Sequence, residues 1–293
     1  MGTPAGLLLV DKPPGMTSFD VVRAVRKLAK TRKVGHTGTL DPDATGLLAV
    51  AIGGCTKLTR FLLLDEKRYA YTVKFGAATT TDDSTGEVLR EAPVEHLTEA
   101  VIRAGMEGFL GEIEQVPPVY SAIKVRGKRA HKLARAGEDV EMKARTVWIK
   151  ELELRSFRRD AWEADFEVRC GSGTYVRSLA RDLGEEVGSA AHTTAIRRLS
   201  VGLFLLEEAV VLGELTEENL GEHLRTPLQM VQSLGTVEVD EAQAQALRMG
   251  QPIEAEAPEG EFLAAHRGDE LVAVVYWRGE GDDRRLWPRR VMT

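Results

Sequence analysis

The sequence predicts an α+β protein: a mixed, largely antiparallel sheet flanked by helices, followed by a small β-rich C-terminal domain. Three observations predict it. Segments of strand period and of helix period mix along the chain without a strict strand–helix–strand rhythm. Residues 162–170, WEADFEVRC, set Trp162, Ala164, Phe166, Val168 and Cys170 against Glu163, Asp165, Glu167 and Arg169, the alternation of a half-buried strand. Past Gly235, short strand-like runs follow an acidic stretch, which divides the chain into expected domains 1–234 and 235–293.

The elements follow in order. LLLV (7–10) reads as a short buried strand closed by the turn Pro13-Pro14-Gly15. Thr17, with Asp20 three residues on, begins a helix whose apolar stripe is Val21, Val22, Val25 and Leu28. Its other side carries Arg23, Arg26, Lys27 and Lys30. A polar loop, GHTGTLDPDATG (35–46), leads into GLLAVAIG, a second buried strand. Tyr69, Tyr71, Val73 and Phe75 share one face of a third. Residues 98–110 read as helix and 119–125, VYSAIKV, as strand. After the 162–170 strand, GSG breaks the pattern, and Val176, Leu179, Ala180, Leu183 and Val187 fall in helical register. Beyond Glu207 the chain reads as an acidic, helix-prone connection, then a helix from Asp240 to Met249 stopped by Gly250, then short strands.

Composition bounds the function. The 293 residues are 43% hydrophobic, enough for one large core or one core and a small satellite. Cys55 and Cys170 are the only cysteines and form no CxxC pattern, so neither a disulfide framework nor a cysteine metal site is expected. No basic leader precedes the first apolar run, which stops at Asp11, so the expectation is a cytoplasmic chain without export signal or membrane span. The net charge of −6 hides an uneven distribution. Residues 11–36 hold seven Lys/Arg against two acids, and 124–135 hold six with no acid, whereas 205–270 hold fifteen Asp/Glu and three Arg. Such basic patches suit a polyanion, because charge acts over about a Debye length of 8–10 Å. They also suit plain solvated surface.

Familiar motifs fail. GSGTYV lacks the last glycine of GxGxxG, no GxxxxGK[ST] is present, and no HExxH or His/Cys cluster supports a metal. SAIK (121–124) matches SxxK, but HTG precedes it and no SDN follows. In the polar loop, Pro42 restricts Asp41 to an extended backbone and so aims its carboxylate. Gly35, Gly38 and Gly46 permit backbone geometry that side chains block, and His36, Thr37 and Thr39 can bind bases, phosphates or the loop itself. Asp41 and Asp43 fit equally well as turn residues holding the loop's shape.

The loop GHTGTLDPDATGLL resembles the signature of the bacterial tRNA pseudouridine-55 synthases, the TruB family. The likeness runs collinearly through LLLVDKPPGMTS (7–18), DEKRYAYTVKFG (65–76), VPPVYSAIKVRGKRAHKLAR (116–135), CGSGTYVRSLARDLG (170–184) and RRLSVG (197–202), with a tail similar to a short PUA RNA-binding module. The resemblance implies an isomerase that modifies uridine 55 in the T stem-loop of tRNA. It implies neither cofactor nor metal, no protein partner, and a monomer. It gives Asp41 as the nucleophile, Tyr69 as the ring stacked on the extruded base, and Tyr175 as a second ring against the target nucleotide. Arg177 matches the arginine that pairs with the catalytic aspartate, and Asp83 a second carboxylate near it, in a stretch poorer in acid than the family pattern. His36 matches a contact to the displaced nucleotides, Lys57 and Leu199 complete the expected pocket, and Lys12 supports the loop. Tyr69 also fits as core beside Val73 and Phe75, and Tyr175 as packing on Leu179. A competing expectation keeps the fold but makes the chain a tRNA-binding or tRNA-folding module whose catalysis is dispensable.

Overall fold

A computed structural model describes residues 4–63, 66–121, 123–125, 127–138 and 140–292. The chain forms two compact units, residues 1–65 with 200–293, and residues 66–199.

The first unit is built on the strand Gly6–Lys12, antiparallel to Thr45–Ile52 from Gly6 opposite Ile52 to Lys12 opposite Gly46. Both strands are buried along nearly their whole length, which is why they read as continuous apolar runs rather than alternations. Val34–His36 pairs antiparallel with the far end of Thr45–Ile52. The helix Ser18–Leu28 is capped reciprocally: the Asp20 amide donates to Thr17 Oγ1 (3.1 Å) and the Thr17 amide to Asp20 Oδ2 (3.0 Å). It buries Val21, Val22 and Val25 and leaves Arg23 and Lys27 in solvent.

The acidic connection departs from expectation. In place of helix, residues 206–230 make three 3₁₀ turns, a four-residue helix Pro227–Met230, and two-residue strands at 210–211 and 224–225 that pair with Gly6–Lys12. Gly213 and Gly221 interrupt the runs before a long helix can nucleate, and Pro227 fits only the first turn of the short helix that it begins. The tail forms a four-stranded sheet, Gly235–Glu238, Leu263–Arg267, Glu270–Arg278 and Arg285–Val291, with the helix Glu241–Arg248 capped by Asp240 and Gln243. Val237, Leu247, Leu263, Val272 and Leu286 form its own core. From the same strands Ala264, Leu271 and Val274 pack with Leu7, Leu9, Leu47 and Phe61.

The second unit is a sheet in the order Ala191–Val201, Lys67–Phe75, Glu163–Cys170, Arg145–Arg158, Gly111–Gln115. The three pairings among Lys67–Phe75, Glu163–Cys170, Arg145–Arg158 and Gly111–Gln115 are antiparallel. Tyr71 lies opposite Phe166 with ring centroids 5.3 Å apart, and Val73 opposite Ala164. This face packs on Leu179 and Leu183 of the helix Val176–Glu186 and on Ile102 and Met106 of Glu99–Met106. Burying each such side chain contributes about 1.5–3 kcal/mol. The strand expected at 119–125 shrinks to Lys124–Val125, paired with Lys128–Arg129; Ala122 lies outside the described residues. Pro117 and Pro118 supply no amide for a ladder, and the chain turns at 119–121.

Candidate active site

In the first unit the polar loop is pinned on both sides of Asp41. Ahead of it, the Leu40 amide donates to Ser18 Oγ (2.8 Å), and that hydroxyl donates to the Leu40 carbonyl (3.1 Å). Behind it, the fully buried Lys12 ammonium donates to the Pro42 carbonyl (2.8 Å), as well as to Pro13 (2.9 Å) and Met16 (2.6 Å). The Ala44 amide closes the turn on the Asp41 carbonyl (3.2 Å), and the Thr37 amide ties the loop's start to Ala49 (2.9 Å). Asp41 itself is half-buried between buried Leu40 and exposed Pro42.

Several loop expectations change. Gly38 and Gly46 take positive φ, 100° and 97°, as glycine permits, but Gly35 does not, and a Cβ there would meet nothing within 4 Å. Thr37 is fully buried, so it faces no RNA, while Thr39 is exposed. Asp43 is exposed and, among the described residues, holds no turn with its carboxylate; backbone bonds do that work. His36 is half-buried at the end of Val34–His36, opposite Val50. Lys57 sits on the 3₁₀ helix Gly53–Leu58 with its ammonium 3.4 Å from the Val291 carbonyl, in the last strand.

In the second unit Arg177, only 4% exposed, projects from the first turn of Val176–Glu186. It donates to the carbonyls of Thr81 (2.7 Å) and Tyr120 (2.9 Å) and lies 3.4 Å from Asp83 Oδ2. The other Asp83 oxygen accepts from Thr81 Oγ1 (2.6 Å), the Thr85 amide (3.0 Å) and Thr85 Oγ1 (2.5 Å). The stretch TTTDDSTG is therefore rich in threonine because hydroxyls, rather than further charges, orient this carboxylate. Asp82, at φ 59°, turns away to meet Arg181 at 2.8 Å. Burial pushes the Asp82 carboxyl above its ordinary range, against the pull of Arg181 and Arg177.

Tyr69 ends the inward face of Lys67–Phe75, partly buried against the core, opposite Val168. Tyr175 holds the N-cap position of the helix. Leu199 is half-buried on Ala191–Val201. The structure thus gathers Asp83, Arg177 and Tyr175 around one helix start. Residues that the sequence reading missed complete the support: Ser18 on the loop, Thr81 and Thr85 on Asp83, and Gln115, which meets the Tyr175 backbone. Ser18 follows a capping threonine, where a second hydroxyl carries no separate signal. Gln115 stands before Val-Pro-Pro, a segment with no periodicity to read. Among the described residues, no three His, Cys, Asp or Glu side chains converge as a metal site.

Comparison with known proteins bears on this geometry. Residues 26–176 match the family model described as TruB family pseudouridylate synthase (N terminal domain). A protein of Thermobifida fusca named tRNA pseudouridine synthase B is 52% identical over 219 residues, covering 73% of this chain and 75% of that one. Its namesake in Mycobacteroides abscessus is 45% identical over 280 residues, covering 94% and 93%. Among solved structures, a Cbf5-Nop10-Gar1 complex aligns over 98% of this chain and 85% of its own, with TM-score 0.78 and 26% identity. An H/ACA RNP bound to a substrate RNA containing 2′-deoxyuridine aligns with TM-score 0.75 at 24% identity, over 98% and 85%. That last likeness concerns the fold.

Proposed function

The chain belongs to the TruB family of pseudouridylate synthases, and on that premise we propose that it isomerises uridine 55 in the T stem-loop of tRNA, with Asp41 as nucleophile. Pseudouridine synthesis in tRNA is the activity its relatives are named for, and it is the activity of this isomerase. The reaction breaks the N1–C1′ bond, turns the base and joins C5 to C1′; the C5 proton leaves and N1 gains one. Because the leaving base is also the group that returns, one carboxylate can serve where glycoside hydrolysis uses two.

The observation that carries the assignment is the double anchoring of Asp41, by Ser18 before it and Lys12 after it. A carboxylate held at a fixed place is what attack on a sugar or base requires. Tyr69 stacks on the extruded base, and Tyr175 packs against the same nucleotide. By the family resemblance, Arg177 takes the role of the arginine that serves the catalytic aspartate, and Asp83 that of the second carboxylate beside it. His36 contacts the displaced nucleotides, and Lys57 and Leu199 line the pocket. Residues 1–234 form the catalytic domain, and residues 235–293 form a PUA-like module that grips tRNA. The enzyme works as a cytoplasmic monomer.

The test is chemical mapping of pseudouridine in a full tRNA transcript after incubation with the enzyme. A single modification at position 55, absent from a transcript carrying cytidine there, supports the reading. Modification at another uridine overturns the choice of target.

A further inference from the structure

The helix Val176–Glu186 begins in an unusual way. Its N-cap is Tyr175, with extended backbone (φ −106°, ψ 111°) and no side-chain capping bond. Serine, threonine, aspartate or asparagine is favoured there, since each offers an oxygen to the first-turn amides, and tyrosine offers none. A local rule broken at one position points to a second demand on that residue.

Gln115 compensates from outside the helix. It ends the strand Gly111–Gln115 and is 1% exposed. The Tyr175 amide donates to Gln115 Oε1 (2.8 Å), and Gln115 Nε2 donates to the Tyr175 carbonyl (3.1 Å). That carbonyl also accepts the Leu179 amide, the first bond of the helix (3.1 Å). A primary amide meets both backbone groups of one residue with a separate donor and acceptor atom, and a carboxylate cannot donate. Neighbouring bonds hold the helix by its side chains: Ser178 Oγ and Arg181 Nη2 donate to the Val116 carbonyl, and Arg177 Nη2 to that of Tyr120. Gln115 alone among these grips the backbone of residue 175.

We infer that Gln115 is a positioning residue for the reaction, fixing the Tyr175 backbone so that its ring meets the target nucleotide in one orientation. The inference rests on the reading of Tyr175 given above. With φ and ψ held, the ring keeps only its own two torsions. Helix ends are where backbone order is weakest. A backbone swing of about 10° moves the ring tip by about 1 Å, a misplacement that costs roughly a hundredfold in rate.

The experiment is a double-mutant cycle between Gln115→Met, which keeps the side chain's length and removes both bonds, and Tyr175→Leu. Rates are read as tritium released from a T stem-loop labelled at uridine C5. The expected result for Q115M is a kcat about tenfold or more below the parent, with KM within about threefold. In the Y175L background the same change costs less than about twofold further, since the residue it acts through is gone. Losses that multiply independently, or parental kcat in Q115M beside an impaired Y175L, overturn the role of Gln115 alone. Full activity in Y175L overturns the reading of Tyr175, and Gln115's role with it. If Q115M does not fold, Gln115→Asn keeps the amide on a shorter stem; the same kcat-selective loss supports the inference, and parental kcat overturns it.

Discussion

Replacing Lys12 by methionine separates what holds the catalytic loop from what merely stabilises the unit. The ammonium is fully buried and donates to three backbone carbonyls, of which Pro42 directly follows Asp41. A hydrogen bond to a charged group contributes about 1.5–3 kcal/mol. Two effects offset the sum of three. Pro13 and Met16 are half-buried and Pro42 is exposed, so water reaches part of what the ammonium leaves. Methionine also removes the cost of burying a charge, several kcal/mol in a protein interior. The net expectation is a loss of about 2 kcal/mol, or roughly 4–8 °C in Tm for a chain of this size. Activity should suffer more. With Pro42 released, Asp41 loses its Lys12-side anchor, and a displacement of about 1 Å costs roughly a hundredfold in kcat. Calorimetry and tritium release from the labelled stem-loop read the two effects separately. Parental kcat in a K12M protein of lowered Tm would refute the reasoning, because Lys12 would then stabilise the fold without positioning the aspartate.

Other expectations follow from the same geometry. The Asp165 carboxyl is held at about 2, below its ordinary 3.8, chiefly by the hydrogen bond from Arg158 and then by those from Thr72 and Ser156. A depressed carboxyl stabilises the fold above its unfolded value and loses that contribution as pH falls from about 4 towards 2; D165N should therefore be less stable than the parent at pH 6 and converge with it near pH 2, and a gap independent of pH would contradict this. Gly46→Ala, at φ 97°, should cost at least about 1 kcal/mol in urea unfolding, whereas Gly35→Ala should fall within about 0.5 kcal/mol; equal costs would remove the role of backbone geometry in the loop. Lys128 is exposed, 3.8 Å from Glu138, and Lys128→Glu should weaken tRNA binding and lower the slope of log affinity against log salt by about 1. Unchanged affinity across salt would return it to plain surface.

How much of this was legible depended on the kind of signal. Periodicity located the strands that frame both units, because burial on one face or two writes itself directly into alternation or into runs such as LLLV. Capping chemistry placed Ser18–Leu28 and Glu241–Arg248 within a residue or two. The resemblance supplied Asp83 and Arg177, which the structure pairs at 3.4 Å. What stayed hidden was long-range and non-periodic. The resemblance gave Lys12 as a support of the loop, but nothing local says that it reaches Pro42, thirty residues on, or that Gln115 reaches Tyr175, sixty on. The strand expected at 119–125 and the helical connection after Glu207 failed for the opposite reason: propensity was read where prolines and glycines had already set the backbone. Gly35 shows the limit within a motif, since three glycines looked alike and two carry positive φ.

Asp41→Asn tests the central claim most directly. The asparagine keeps the size of the side chain and the Ser18 and Lys12 anchors, which grip the backbone on either side. The variant should bind the T stem-loop with parental affinity and release no tritium from C5 of uridine 55. Tritium release at or near the parental rate would contradict the account and send the search for the nucleophile elsewhere in the chain.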